Sequence, residues 1–192
     1  MALITLGLSG SLGYDPAAAL FRDGELVAAV EEERLIRRQH ARGELPYEAI
    51  KYCLREARIK PRDVDQVATA CAPISLFNKA RWHYARRYWY APDRSLDALL
   101  NGNRRYRRYV SKVRGLMIDM DISWSRIRFV PVEHQIAHVA SGYYLSGFDG
   151  KVALFSIDLK GEYATTLLAT GENGVIRKVK EFYDPDSLEG MY

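Results

Sequence analysis

The chain opens on a short apolar block, Ile4 to Ser9, that runs into Gly10-Ser11-Leu12-Gly13, the pattern of a buried strand ending in a glycine-rich turn. Two more strands are predicted at Ala17 to Arg22 and Glu25 to Glu31, joined by Asp23-Gly24, a strong signal for a two-residue hairpin. Pro46 then opens a helix to about Ala57, with Ile50, Cys53, Leu54 and Ala57 recurring on one face. A short strand is expected near Val67 to Cys71. The stretch from about 75 to 120 reads as helical, with breaks at Ala91-Pro92-Asp93 and at Asn101-Gly102-Asn103. A strand at Arg128 to Val132, a helix at Glu133 to Leu145 and a turn at Gly147 to Gly150 follow. After that turn the pattern restarts: a strand from Val152 to Asp158, a turn at Lys160-Gly161, a strand from Tyr163 to Ala169, a hairpin turn at Glu172-Asn173-Gly174 and a strand from Val175 to Phe182. The order strand, glycine turn, strand, hairpin, strand therefore occurs twice.

Composition narrows the class. At 192 residues with 48% apolar and 27% charged positions, the chain is a globular protein, and disorder, collagen and coiled coil are excluded. A chain of this size needs no disulfide or structural metal to hold a core, and Cys53 and Cys71 read as small buried hydrophobes in a reducing compartment. There is no signal peptide and no apolar run long enough for a transmembrane segment, so a cytoplasmic protein is expected. The net charge of +4 is unevenly spread: Lys79 to Arg114 holds 11 basic residues against two acidic ones, and the remainder is net acidic. In that segment Tyr106, Tyr109, Val110, Val113 and Met117 recur at helical steps and pack inward, leaving the arginines on the other face. The face is either simply solvated or a surface for a phosphorylated ligand, an anionic membrane or RNA.

Three stretches could carry chemistry. In Glu133-His134-Gln135-Ile136-Ala137-His138, two histidines four apart share one helix face and can reach one metal ion. The zinc-peptidase pattern wants Glu after the first His, and Gln135 stands there, so a metallopeptidase is excluded. In Ser156-Ile157-Asp158-Leu159-Lys160-Gly161-Glu162 a buried strand ends in two carboxylates around a turn. Asp158 is the natural third ligand; the alternatives are a turn-stabilising Asp158 and a solvated Glu162. The loop Gly7 to Gly13 lets backbone amides approach an anion, but its Gly-x-x-Gly-x-x-Gly spacing and the strand that follows fit neither a dinucleotide fingerprint nor a Walker loop.

The element order resembles the ribonuclease-H-like unit that is duplicated in the actin, sugar-kinase and heat-shock-protein superfamily. That resemblance implies an α/β fold with one complete copy over residues 1–145, carrying a basic helical insertion at about 75–120, and the first three strands of a second, incomplete copy over 151–192. It also implies that a phosphate-bearing ligand is held by the turns after each first strand, here Gly10 and Gly13, and Lys160, Gly161 and Glu162. More narrowly, Tyr14-Asp15-Pro16-Ala17-Ala18-Ala19-Leu20, then Asp23 to Arg34, the His134/His138 pair, Asp158 to Thr166 and Asp186-Ser187-Leu188 resemble the N-terminal, TsaD-like domain of the nodulation-protein-U-type O-carbamoyltransferases.

Members of that family make carbamoyl-adenylate from carbamoyl phosphate and ATP in a YrdC-like C-terminal domain. They then pass the carbamoyl group to an acceptor hydroxyl in the N-terminal domain. The resemblance therefore implies a divalent metal, iron or zinc, on His134, His138 and Asp158, and a catalytic pair at Tyr14 and Asp15. It further implies a small-molecule hydroxyl acceptor, sugar-like or nucleotide-linked, and a partner YrdC-like domain or separate subunit; nucleic acid is disfavoured. Three positions depart from the family pattern: Tyr14 stands for its usual His, Leu159 for the Gly after the Asp, and Gln135 for a second His. Tyrosine is a poor base at neutral pH. The alternatives are a non-catalytic or split-subunit relative that binds nucleotide or a partner, and a tRNA-threonylcarbamoylation component.

Overall fold

The computed structural model describes residues 2–10, 15–158 and 163–183. The chain divides into two compact units, Met1–Ala70 with Arg104–Pro131, and Cys71–Asn103 with Val132–Tyr192. This division cuts the chain at other points than the repeat of elements does.

In the first unit, β1 (Ile4–Ser9), β2 (Ala17–Arg22) and β3 (Glu25–Glu31) form an antiparallel meander. After α1 (Glu32–Ile36) and α2 (Tyr47–Glu56), β4 (Gln66–Ala70) pairs parallel with β1, and β5 (Arg128–Val132) completes the order β3-β2-β1-β4-β5. The Asp23-Gly24 turn forms as predicted, with both residues at positive φ (51° and 88°), which the twist of a tight hairpin demands. The Asp23 carboxylate accepts the Leu3 N–H at 2.7 Å, pinning the start of β1 to the turn. Leu6, Leu8, Leu20 and Val67 from the strands and Ile50, Cys53 and Leu54 from α2 share one buried core with Val113, Leu116 and Met117.

Helix α2 begins at Pro46, whose side chain has no acceptor with which to cap it. Glu32 supplies the cap from α1. Its carboxylate is buried and accepts the N–H of Glu48 at 3.1 Å and of Ala49 at 2.7 Å. A buried anion at a helix N-terminus satisfies two orphan donors and meets the positive end of the helix dipole.

In the second unit, β6 (Val152–Ile157), β7 (Ala164–Glu172) and β8 (Val175–Tyr183) form another antiparallel meander in that order. Its hairpin turn, Asn173-Gly174, again has positive φ at both residues (51° and 74°). Helix α5 (His134–Leu145), grouped with the first copy on sequence grounds, packs on β6 and β7 within this unit, burying Val139 against Leu167 and Ala169. Gly171 exists to seat Tyr143, since a Cβ there would lie 2.7 Å from the Tyr143 ring.

The basic segment forms α3 (Ile74–Arg87) and α4 (Pro92–Asp119). The expected break at Ala91-Pro92-Asp93 is present, but the one at Asn101-Gly102-Asn103 is not: α4 runs through it. Gly102 serves close approach instead. A Cβ at that position would lie 2.7 Å from the Arg81 side chain and 2.9 Å from the Tyr163 hydroxyl. From Arg104 onward Val113 and Met117 are buried while the arginines and Lys112 face solvent, as the periodicity indicates. No described helix is long and apolar enough to cross a membrane.

The Glu32 cap yields the first prediction. Glu32→Ala should lower stability by about 2 kcal/mol, and Glu32→Gln, which keeps one acceptor oxygen, by roughly half of that. Guanidinium denaturation of both variants beside the parent chain measures the difference.

Candidate functional site

Helix α5 starts where β5 ends, with Glu133 in an extended conformation as its N-cap, so His134 lies in its first turn and His138 one turn further. Asp158 directly follows β6, and its N–H still donates to the Thr165 carbonyl at 2.8 Å, which holds it in line with the strand. Ser156 and Asp158 are two apart and therefore share the sheet face that α5 covers.

Three side chains converge there. His134 Nε2 lies against Asp158 Oδ2, His138 Nε2 is 3.3 Å from the same oxygen, and the two Nε2 atoms are 3.1 Å apart. Both imidazoles and the carboxylate thus aim one atom each at a common point. Two neutral ring nitrogens this close need a proton or a cation between them. Nitrogen and oxygen donors around a tetrahedral ion with bonds of about 2.0 to 2.2 Å lie about 3.3 to 3.5 Å from one another, close to the two longer separations seen. The donor set fits a divalent ion of borderline hardness such as zinc or iron.

Gln135 fixes this geometry. Almost wholly buried between the two histidines, its amide donates to the Ala164 carbonyl on β7 at 3.3 Å and its carbonyl accepts the Ser156 hydroxyl at 2.5 Å. One side chain therefore ties α5 to β6 and β7 beside the histidines it must aim. Below it, Lys178 on β8 donates to Glu133 and, at 2.7 Å, to Glu181. Burial alone would lower the Lys178 pKa, but the two carboxylates outweigh it and hold the ammonium above its ordinary value. Beside His138, an open cleft of about 520 Å³ is lined largely by apolar groups, among them Tyr143, Phe148, Leu154 and Phe155.

Other residues picked out on sequence lie elsewhere. Gly10 has a positive φ (61°). Gly13, Tyr14, Lys160, Gly161 and Glu162 lie outside the described residues, as do Leu159 and the motif from Asp186 to Leu188. Asp15 is described, and its carboxylate sits 2.8 Å from Nδ1 of His40, a residue that the sequence reading passed over. The hairpin register carries the signal for this pairing: Ala17 opposes Glu31, so the chain just before β2 lies beside the chain just after β3.

The fold and the site define an α/β protein in which a helix and the meander that follows it present two histidines and a carboxylate to one point. The chain belongs to the carbamoyltransferase N-terminus family, whose profile matches residues 5–192. It is 31% identical over 214 residues to nodulation protein NolNO of Sinorhizobium fredii (strain NBRC 101917 / NGR234), covering 99% of this chain and 28% of that protein. It is 32% identical over 193 residues to the uncharacterized protein sll1178 of Synechocystis sp. (strain ATCC 27184 / PCC 6803 / Kazusa), covering 97% of this chain and 30% of that one. The chain thus spans under a third of the length of these two relatives. Among solved structures it is similar to YeaZ from Pseudomonas aeruginosa, with a TM-score of 0.47 and 14% identity over 94% of this chain and 67% of that one.

Two predictions come from this region. Gln135→Leu leaves the Ser156 hydroxyl and the Ala164 carbonyl buried without their partner, which should cost about 1 to 3 kcal/mol by denaturant titration. The raised Lys178 pKa gives a pH dependence: its contribution is present in full below the ordinary lysine pKa of about 10.4 and is lost as pH rises through the folded value. The stability gap between the parent chain and Lys178→Met should therefore hold at pH 8 and shrink above pH 11, as read by urea denaturation at both values.

Proposed function

We propose that the chain is the N-terminal part of an ATP-dependent O-carbamoyltransferase that moves a carbamoyl group from carbamoyl-adenylate to a hydroxyl of a sugar or secondary-metabolite acceptor. The observation that carries this reading is the convergence of His134, His138 and Asp158 in a chain whose family profile covers nearly its whole length. In this reading the three residues hold a divalent metal, iron or zinc. When bound, the metal neutralises phosphate charge and makes the phosphate a better leaving group. This reading assigns phosphate contacts to Gly10 and Gly13 and to Lys160, Gly161 and Glu162. Tyr14 and Asp15 are the pair that this reading assigns to the acceptor. The small span of the relatives that the chain covers leaves room for a YrdC-like C-terminal domain, in the same polypeptide or a separate subunit, to make the adenylate from ATP and carbamoyl phosphate.

The departures at Tyr14 and Leu159 favour a second reading, a relative that binds nucleotide or a partner without catalysis. One experiment separates the two. The protein carrying this chain, supplied with ATP, labelled carbamoyl phosphate and a panel of hydroxyl acceptors, should form labelled carbamate ester, and transfer to any acceptor removes the second reading. Metal analysis tests the site itself. The parent chain should bind about one equivalent of iron or zinc, and His134→Ala, His138→Ala and Asp158→Asn should each lose it, by about 10- to 100-fold or more in affinity. A parent chain that stays metal-free at saturating iron and zinc overturns the site assignment.

A further inference from the structure

A second cluster in the first unit has the form of a proton-transfer site. Asp15 Oδ1 lies 2.8 Å from His40 Nδ1, and both side chains are open to solvent, 47% and 40% exposed. The pair is also held through the backbone. The Asp15 N–H donates to the His40 carbonyl at 3.2 Å, and the Glu33 carboxylate accepts the His40 N–H at 2.7 Å. Asp15 (φ 44°) and His40 (φ 58°) both sit in the left-handed region, where a side chain costs energy, as do Arg37 and Ala41 beside them. The fold thus keeps strained backbone at both members and spends three hydrogen bonds on the arrangement.

The donor atoms of Asp15, Glu33 and His40 also lie close enough together to be considered for a metal ion. Glu33 argues against that use. One of its oxygens accepts the His40 N–H and the other faces the Arg34 guanidinium at 3.3 Å, so its charge is already engaged. What remains is a carboxylate aimed at one ring nitrogen of an exposed imidazole. In such a pair Nδ1–H donates to the carboxylate, which fixes the tautomer and leaves Nε2 as the basic atom.

The position matters as well. Asp15 ends the loop that leaves β1 at Gly10, the same loop that the proposed function gives to the phosphate. At position 14, where the family pattern has an imidazole, this chain has a phenol, a poor proton acceptor at neutral pH.

We propose that His40, oriented by Asp15, is the general base that takes the proton from the acceptor hydroxyl. This step rests on the carbamoyl-transfer reading above. The acceptor oxygen attacks the carbamoyl carbon and forms the new C–O bond while its proton passes to His40 Nε2. The bond from the carbamoyl carbon to the phosphate oxygen breaks, the phosphate leaves with the electron pair, and His40 later returns its proton to solvent. Glu33 is a positioning residue, acting through the His40 backbone.

The test uses the protein carrying this chain. His40→Gln should lower kcat/KM for the hydroxyl acceptor by about 10² to 10⁴-fold, the usual worth of a general base. Adding free imidazole to His40→Gly should restore part of the rate, a response that a merely structural role would not give. Nitrogen-15 NMR of the parent chain provides a readout independent of any variant's folding and of any reaction: neutral His40 should carry its proton on Nδ1. A neutral Nε2–H tautomer overturns the dyad. A His40→Gln protein that keeps its rate within about threefold, against the losses expected for a base, overturns the catalytic role. A parent protein with no transfer to any hydroxyl overturns the proposed function and this step with it, whatever the NMR result.

Discussion

The site geometry depends on one buried amide. Gln135 sits between the two histidines in sequence and is buried where Ser156 and the Ala164 carbonyl consume its polar atoms. A helix lying on a sheet through apolar contacts alone can slide or rotate by small amounts at little cost, because such contacts are not directional. A buried amide bonded to two different strands removes that freedom, since any slip leaves a polar atom unsatisfied in a low-dielectric interior. Because Ser156 and Asp158 share a strand face, the bond that fixes Ser156 to α5 also sets Asp158 against His134 and His138. The hydrophobic contact of Val139 with Leu167 and Ala169 holds helix and sheet together, and the amide decides where.

Much of this was legible in the sequence. The strands, α2, α5 and both X-Gly hairpins carry local signals, namely period, proline or glycine placement and turn dipeptides, and formed within a residue or so of those signals, except that β7 runs three residues past Ala169 to Glu172. The His-x-x-x-His spacing and the strand-end position of Asp158 sufficed to name the three converging residues. Gln135 was read only for what it replaces, a zinc-peptidase Glu and a family His, because a buried polar clamp has no local signature: its partners lie 21 and 29 residues away. Gly102 was misread for a related reason. Glycine in a helical pattern signals either a break or a close approach, and only the position of Arg81 and Tyr163 decides between them. The short α1 escaped notice because five residues carry too little periodicity, yet it delivers the carboxylate that caps α2.

Glu32 and Gln135 solve similar problems with different chemistry. Each is a buried polar side chain that closes an account left open elsewhere in the chain. Glu32 does so for a helix start that Pro46 cannot cap, where the donors are backbone N–H groups at the positive end of a dipole and a carboxylate is the best match. Gln135 meets one donor and one acceptor, a hydroxyl and a carbonyl, and its amide offers both complements. A carboxylate at position 135 would face the Ala164 carbonyl with like partial charge.

The two meanders repeat their backbone and diverge in their chemistry. β1 and β6 are equally long, both lead into an antiparallel partner, and both meanders close on an X-Gly turn at positive φ. Counting from each strand's start, Asp158 occupies the place that Gly10 holds in the first meander. One copy therefore presents a carboxylate where the other presents a bare backbone in the left-handed region. In the first unit the carboxylate comes instead from the far side of the loop, at Asp15, and meets an imidazole carried by the chain beyond β3. A strand exit can either display a side chain or bring its amides close to a ligand, and a residue without a Cβ serves the second use best. Repeating the scaffold while changing that single residue gives one unit an exit that displays a carboxylate and the other an exit of bare backbone.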